Sequence, residues 1–95
     1  MNVFSDIQFN VKLHKLRFCK YKLTIAEKDI ELSFPQLLAL RNRVNEYTSA
    51  QRLEDIVQNE NFVLLFVADR KHLIYLEVPQ LLDLKEEISL YFYNY

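Results

Sequence analysis

Ser33-Phe34-Pro35-Gln36-Leu37-Leu38-Ala39-Leu40 and Glu77-Val78-Pro79-Gln80-Leu81-Leu82-Asp83-Leu84 share the pattern Pro-Gln-Leu-Leu-x-Leu at an offset of 44 residues. Without gaps the match extends both ways. It pairs Phe18 with Phe62, Ile30 with Ile74, Leu32 with Leu76, Arg41 with Lys85, Val44 with Ile88 and Tyr47 with Tyr91. Nine of 32 positions are identical between 18–49 and 62–93. Two helices that each follow a strand would share leucines and an early proline by convergence. The common register and the upstream matches favour duplication instead. Two copies are too few for a solenoid, so the units are expected to pack on each other.

Each unit reads as strand, strand, helix. In the first, Cys19, Tyr21, Leu23 and Ile25 alternate with Lys20, Lys22 and Thr24, the period of a strand with one wet face. Ala26-Glu27-Lys28-Asp29 turns the chain, and Ile30, Leu32 and Phe34 alternate with Glu31 and Ser33. Ser33 and Gln36 are spaced for a capping box, with Leu32 and Leu37 placed as a hydrophobic staple. Pro35 falls in the first turn, where its missing N–H costs nothing. Leu37, Leu40, Val44 and Tyr47 then form one helical stripe.

In the second unit Phe62 to Val67 is apolar throughout, which predicts a central strand covered on both faces. Asp69-Arg70-Lys71 turns the chain into residues 72–78, and Leu81, Leu84, Ile88 and Tyr91 are the stripe of the last helix. A further strand is expected over 1–14, and Leu53, Ile56 and Val57 mark a short connecting helix over 50–60. The expected fold is α+β: a two-layer sandwich of about five mostly antiparallel strands with helices on one face. No stretch is rich in Pro, Gly or Ser, so residues 1–95 read as one domain.

Composition removes several functions. The chain has no glycine, so it lacks the Walker loop, the dinucleotide fingerprint and the glycine-flanked serine elbow. Tight hairpin turns prefer Asn-Gly or Asp-Gly, so the turns are expected to be longer or to use Asn and Asp. The 51% apolar content and the net charge of −1 exclude disorder. No apolar run approaches the ~20 residues of a membrane span. With one cysteine, no leader and no Asn-x-Ser/Thr acceptor, a cytoplasmic location is expected.

Chemistry-bearing residues are sparse. Cys19 shares its strand face with Tyr21, Leu23 and Ile25, which predicts a buried, unreactive thiol rather than a nucleophile. His14 and His72 match no zinc spacing, and the acidic pairs Glu54-Asp55 and Glu86-Glu87 diverge around their helices. No catalytic residue, metal or cofactor is expected. Charge is uneven: residues 1–26 carry Lys12, Lys15, Arg17, Lys20 and Lys22 against Asp6, while the remainder is acidic. Basic side chains with Phe18 and Tyr21 among them suit phosphates and stacked bases, yet a pI of about 6.1 is low for such a module. Lysines also guard strand edges against aggregation. In the tail, Leu90, Phe92, Tyr93 and Tyr95 lie off or beyond the last stripe and are surplus to the core, so they are candidates for an interface. The leading expectation is a non-catalytic binding or scaffold domain, homodimeric or bound to another protein. The alternative is a small nucleic-acid-binding module using residues 12–22.

Overall fold

The computed structural model describes residues 11–92. It is an α+β structure with two antiparallel sheets and three helices. Strands β1 (Val11–Arg17), β2 (Lys20–Ile25) and β3 (Lys28–Ser33) form a meander. Helices α1 (Phe34–Tyr47) and α2 (Ala50–Gln58) follow. Strands β4 (Phe62–Val67) and β5 (His72–Glu77) make a separate hairpin, and helix α3 (Val78–Ser89) comes last. The five expected strands are therefore divided between a three-stranded and a two-stranded sheet. The expected first strand is seen only from Val11; its residues 1–10 lie outside the described chain.

Both helices of the repeated segment start as their sequences dictate. The Gln36 amide donates to Ser33 Oγ at 3.3 Å, and Gln36 Oε1 accepts from the Ser33 amide at 2.8 Å, completing a capping box. At α3 the Glu77 amide donates to Gln80 Oε1 at 2.9 Å. Leu37, Leu40 and Val44 are buried on α1, and Leu81, Leu84 and Ile88 on α3. Tyr47 and Tyr91 sit half-buried at the ends of the two stripes.

The two hairpins differ in their turns. Ile25 pairs with Lys28, so Ala26 and Glu27 alone make the β2–β3 loop, both with positive φ. This corrects the expectation of longer or Asn/Asp turns: a tight loop forms from residues that disfavour it, because the flanking ladder fixes the path. Val67 pairs with His72, leaving a loop of 68–71 in which Ala68, Asp69 and Arg70 have positive φ. The longer second loop moves β4 by two residues relative to β2 in the gapless match. A shift of two preserves the inward face. Tyr21, Leu23 and Ile25 thus have Val63, Leu65 and Val67 as their counterparts, all buried.

The inward faces of both sheets and the helical stripes merge into one hydrophobic cluster, with Leu23, Leu32, Leu65, Leu76, Leu81 and Leu84 fully buried. Each such side chain contributes about 1.5–3 kcal/mol of burial. Helix α1 packs on β3 and β2 and reaches β4. Helix α3 packs on its own β5 and β4 but also on β1, so the last helix ties the two sheets together. There the Leu13 amide donates to Glu87 Oε1 and the Tyr91 hydroxyl donates to the Leu13 carbonyl, each at 2.9 Å. Those bonds occupy the backbone groups of a β1 residue that an open edge would expose.

Candidate functional site

The outward faces of the two sheets have opposite character. On the first sheet Tyr21, Leu23 and Ile25 point inward, so the residues between them face out. Register places Lys12 opposite Thr24, His14 opposite Lys22 and Arg17 opposite Lys20. Four of the five basic candidates therefore share one face. Lys15 does not: it pairs with Tyr21, on the other side of the strand, before an irregularity in β1 between Lys15 and Arg17. Strand β3 adds Asp29 and Glu31 to the same outer face, opposite Thr24 and Lys22, and Thr24 Oγ1 donates to Asp29 Oδ1 at 2.8 Å. The face is mixed in charge and basic only along β1 and β2.

Cys19 is exposed, contrary to the core position that alternation predicts. Arg17 pairs with Lys20, so Phe18 and Cys19 are the hairpin loop, and Cys19 takes φ 62°. Its carbonyl accepts from the Phe34 amide at 3.1 Å, which docks the loop on the start of α1. Phe18 beside it is 86% exposed.

On the second sheet the outer face is apolar. Leu64 lies opposite Tyr75 and Phe66 opposite Leu73. They remain 50%, 54%, 55% and 47% exposed, in that order. Half-buried Phe62 extends the row, its ring 4.8 Å from that of Tyr75, and the Arg70 guanidinium lies 5.7 Å from the Phe66 ring centre. Strand β4 is therefore covered on one face only, which corrects the expected double coverage. An apolar run is the same in sequence whether its second face meets a layer of the same chain or none. The four half-exposed side chains leave roughly 400 Å² of apolar surface, taking about 200 Å² for a fully exposed aromatic ring.

The tail candidates separate. Leu90 is 65% exposed. Phe92 is buried: its ring lies 5.9 Å from that of Phe34, and the Arg41 guanidinium sits 4.6 Å from its centre. Tyr91 packs edge-on against Tyr21 at 5.5 Å. Phe92 was expected to be spare, but the chain after α3 turns it back onto the start of α1. Tyr93 and Tyr95 lie outside the described residues.

Several cavities or clefts open around this frame, four of them distinguished by their lining. One of about 250 Å³ lies between α1 and α3, beside Arg41 and Lys85. Another of about 470 Å³ separates the β2–β3 turn from β5, with Tyr75 and Gln80 on its wall. A third of about 370 Å³ runs between α1 and the β4–β5 turn, where Gln36 Nε2 donates to Asp69 Oδ2 at 2.7 Å. The fourth, of about 520 Å³, is shallow and lies along α2 beside exposed Val57. Cys19, His14 and His72 line none of the four. Among the described residues no three His, Cys, Asp or Glu side chains gather in a metal-binding group, and no helix is long and apolar enough to cross a membrane. The apolar β4–β5 face was legible only as a hydrophobic run; its outward half, Leu64 and Phe66 with Leu73 and Tyr75, follows once the strand is known to lack a second cover. Comparison with protein families, with curated proteins and with solved structures finds no match to this chain.

Proposed function

We propose that this is a non-catalytic binding domain of the cytoplasm that associates with a second copy of itself through the outer face of β4 and β5. The carrying observation is the apolar set Leu64, Phe66, Leu73 and Tyr75 on one side of a two-stranded sheet. A stable interface buries about 800 Å² per partner, of which a little over half is apolar. The roughly 400 Å² of the patch is close to that apolar share. A twofold contact covers one patch with its own copy. The net charge of −1 adds little repulsion between copies. Leu90 is a second, smaller contact candidate. The shared hairpin-then-helix order and the matching Pro-Gln start of α1 and α3 support a duplicated unit, arranged as a two-layer sandwich with the helices against the inward sheet faces.

Sedimentation at about 100 μM, well above a micromolar Kd, tests the assignment. The wild type is expected to sediment as a dimer, and Phe66→Lys with Tyr75→Lys as a folded monomer. A monomeric wild type, or a double variant that dimerises equally well, would overturn it. If Leu90→Ser alone abolishes the dimer, the interface lies at the tail instead.

The second reading is nucleic-acid binding through Lys12, Arg17, Lys20 and Lys22. It is favoured by their common face and by exposed Phe18 at its end. It calls for affinity for single-stranded oligonucleotides that falls steeply with salt and drops in Phe18→Ala. Salt-independent or absent binding removes it.

A further inference from the structure

The cavity between α1 and α3 is lined by three residue pairs, each 44 apart in sequence: Arg41 with Lys85, Val44 with Ile88, and Asn45 with Ser89. Equivalent positions of the two helices thus meet across one space, and both members of the first pair are cationic. Among the described residues no carboxylate lines it. Among the described residues neither cation has an acidic partner; the one ion pair there joins Arg43 to Glu46 on the exposed side of α1.

The donors are held rather than loose. The Arg41 guanidinium carbon lies 4.6 Å from the centre of the Phe92 ring, a cation–π contact that restrains the side chain. Lys85 Nζ donates one hydrogen bond to Thr48 Oγ1 at 2.9 Å, and an ammonium has two more donors. Thr48 is itself fixed, its hydroxyl donating to the Val44 carbonyl at 2.8 Å. Asn45 supplies an amide at the rim. The Ser89 hydroxyl is already committed to the Glu86 carbonyl at 2.7 Å, so its oxygen acts only as an acceptor. Val44, Ile88 and Phe92 make a buried apolar floor that lowers the local dielectric.

We propose that this cavity binds a phosphate-sized oxyanion carrying two negative charges, with Arg41 bidentate to two of its oxygens and Lys85 on a third. The charge count follows from two cations that no acid among the described residues neutralises. The volume of about 250 Å³ admits such a group together with water but no nucleotide base beside it. The ligand is a free phosphate or a phosphate monoester whose remaining part extends into solvent. The site is separate from the β4–β5 face and does not depend on self-association.

Titration with inorganic phosphate at constant ionic strength, followed by amide and side-chain NMR shifts, tests this. Saturable shifts are expected at Arg41, Asn45 and Lys85, with a millimolar Kd of the order that one charge-assisted contact set gives. Arg41→Gln and Lys85→Gln are each expected to weaken binding about tenfold or more, and Lys22→Gln, on the far sheet face, to leave it unchanged. Adding glycerol phosphate in place of phosphate separates the two ligand sources, since a monoester site binds both. Arg41→Gln that keeps its native spectrum but binds phosphate as the wild type does would overturn the site. So would shifts confined to Lys20 and Lys22, or non-saturating shifts at all lysines alike.

Discussion

The segments 20–47 and 62–89 follow the same hairpin-then-helix path and bury equivalent positions, yet they turn different faces to solvent. The outer face of the first carries Lys20, Lys22, Thr24, Asp29, Glu31 and Ser33; that of the second carries Phe62, Leu64, Phe66, Leu73, Tyr75 and Glu77. The inward faces remain alike because both feed the one hydrophobic cluster, where each position must be apolar and of the right volume. Nothing within the chain holds the outward faces to a common character. The first sheet carries polar and charged residues against water, and the second keeps an apolar surface that water penalises.

The sharpest way to break this contrast is to substitute neighbours on one strand. Leu65→Ala removes a fully buried side chain and is expected to cost about 2–5 kcal/mol. Leu64→Ala, one residue away on the outer face, is expected to change monomer stability by less than about 1 kcal/mol. Urea unfolding at low protein concentration measures both. Equal losses would mean that the outer face is covered within the protomer.

A smaller effect compares the helix starts. Ser33 Oγ caps α1 by accepting from the Gln36 amide, so Ser33→Ala is expected to cost about 1 kcal/mol. The α3 start retains its Gln80 bond when Glu77 is shortened, because the donor there is the Glu77 backbone amide. Glu77→Ala is expected to cost less than Ser33→Ala, and thermal melts that reverse this order would break the equivalence of the two caps.

The smallest expected effect concerns the β2–β3 turn. Ala26 and Glu27 both hold positive φ, which costs a side-chain-bearing residue about 1 kcal/mol each. Glu27→Gly relieves that strain against an added loss of chain entropy and is expected to stabilise by about 0.5 kcal/mol. A melting temperature that falls would show that the Glu27 side chain makes a contact worth more than the strain.

Much of this frame is legible in the sequence, and what is hidden has physical causes. The helices are readable because proline, the cap spacing and a three-to-four stripe all agree at 33–47 and 77–91. Strands β3 and β5 are readable from their alternation. Cys19 is misplaced because alternation gives a face but not the point where a strand begins, and the hairpin loop takes the first residue of the pattern. The tight turn at Ala26-Glu27 is hidden because tertiary pairing overrides local preference. The division into two sheets is hidden because alternation says nothing of pairing partners. Of the candidate sites, the basic residues are legible in the sequence, but the irregularity between Lys15 and Arg17, which puts Arg17 on the face of Lys12 and leaves Lys15 on the other, is not. The apolar face reads in sequence only as a run, which does not distinguish an outward half from an inward one. The cavity at Arg41 and Lys85 was present only as one pair in the repeat.

The bonds at Leu13 have a consequence for the order in which the chain acquires its structure. Glu87 and Tyr91 lie 74 and 78 residues further along, so these bonds close a long loop between β1 and the segment that runs from α3 to Tyr91. Closure of that length is entropically late, after the local meander and the β4–β5 hairpin have formed. Glu87→Ala and Tyr91→Phe therefore act on the unfolding rate and leave the folding rate unchanged, a partition that stopped-flow measurement resolves. A slower folding rate in either variant would place the contact in the nucleus instead. With late closure, a chain still emerging during synthesis keeps the Leu13 edge of β1 unpaired until residue 91 is free, and Lys12, Lys15 and Arg17 are the β1 charges that disfavour edge-to-edge pairing in the interval.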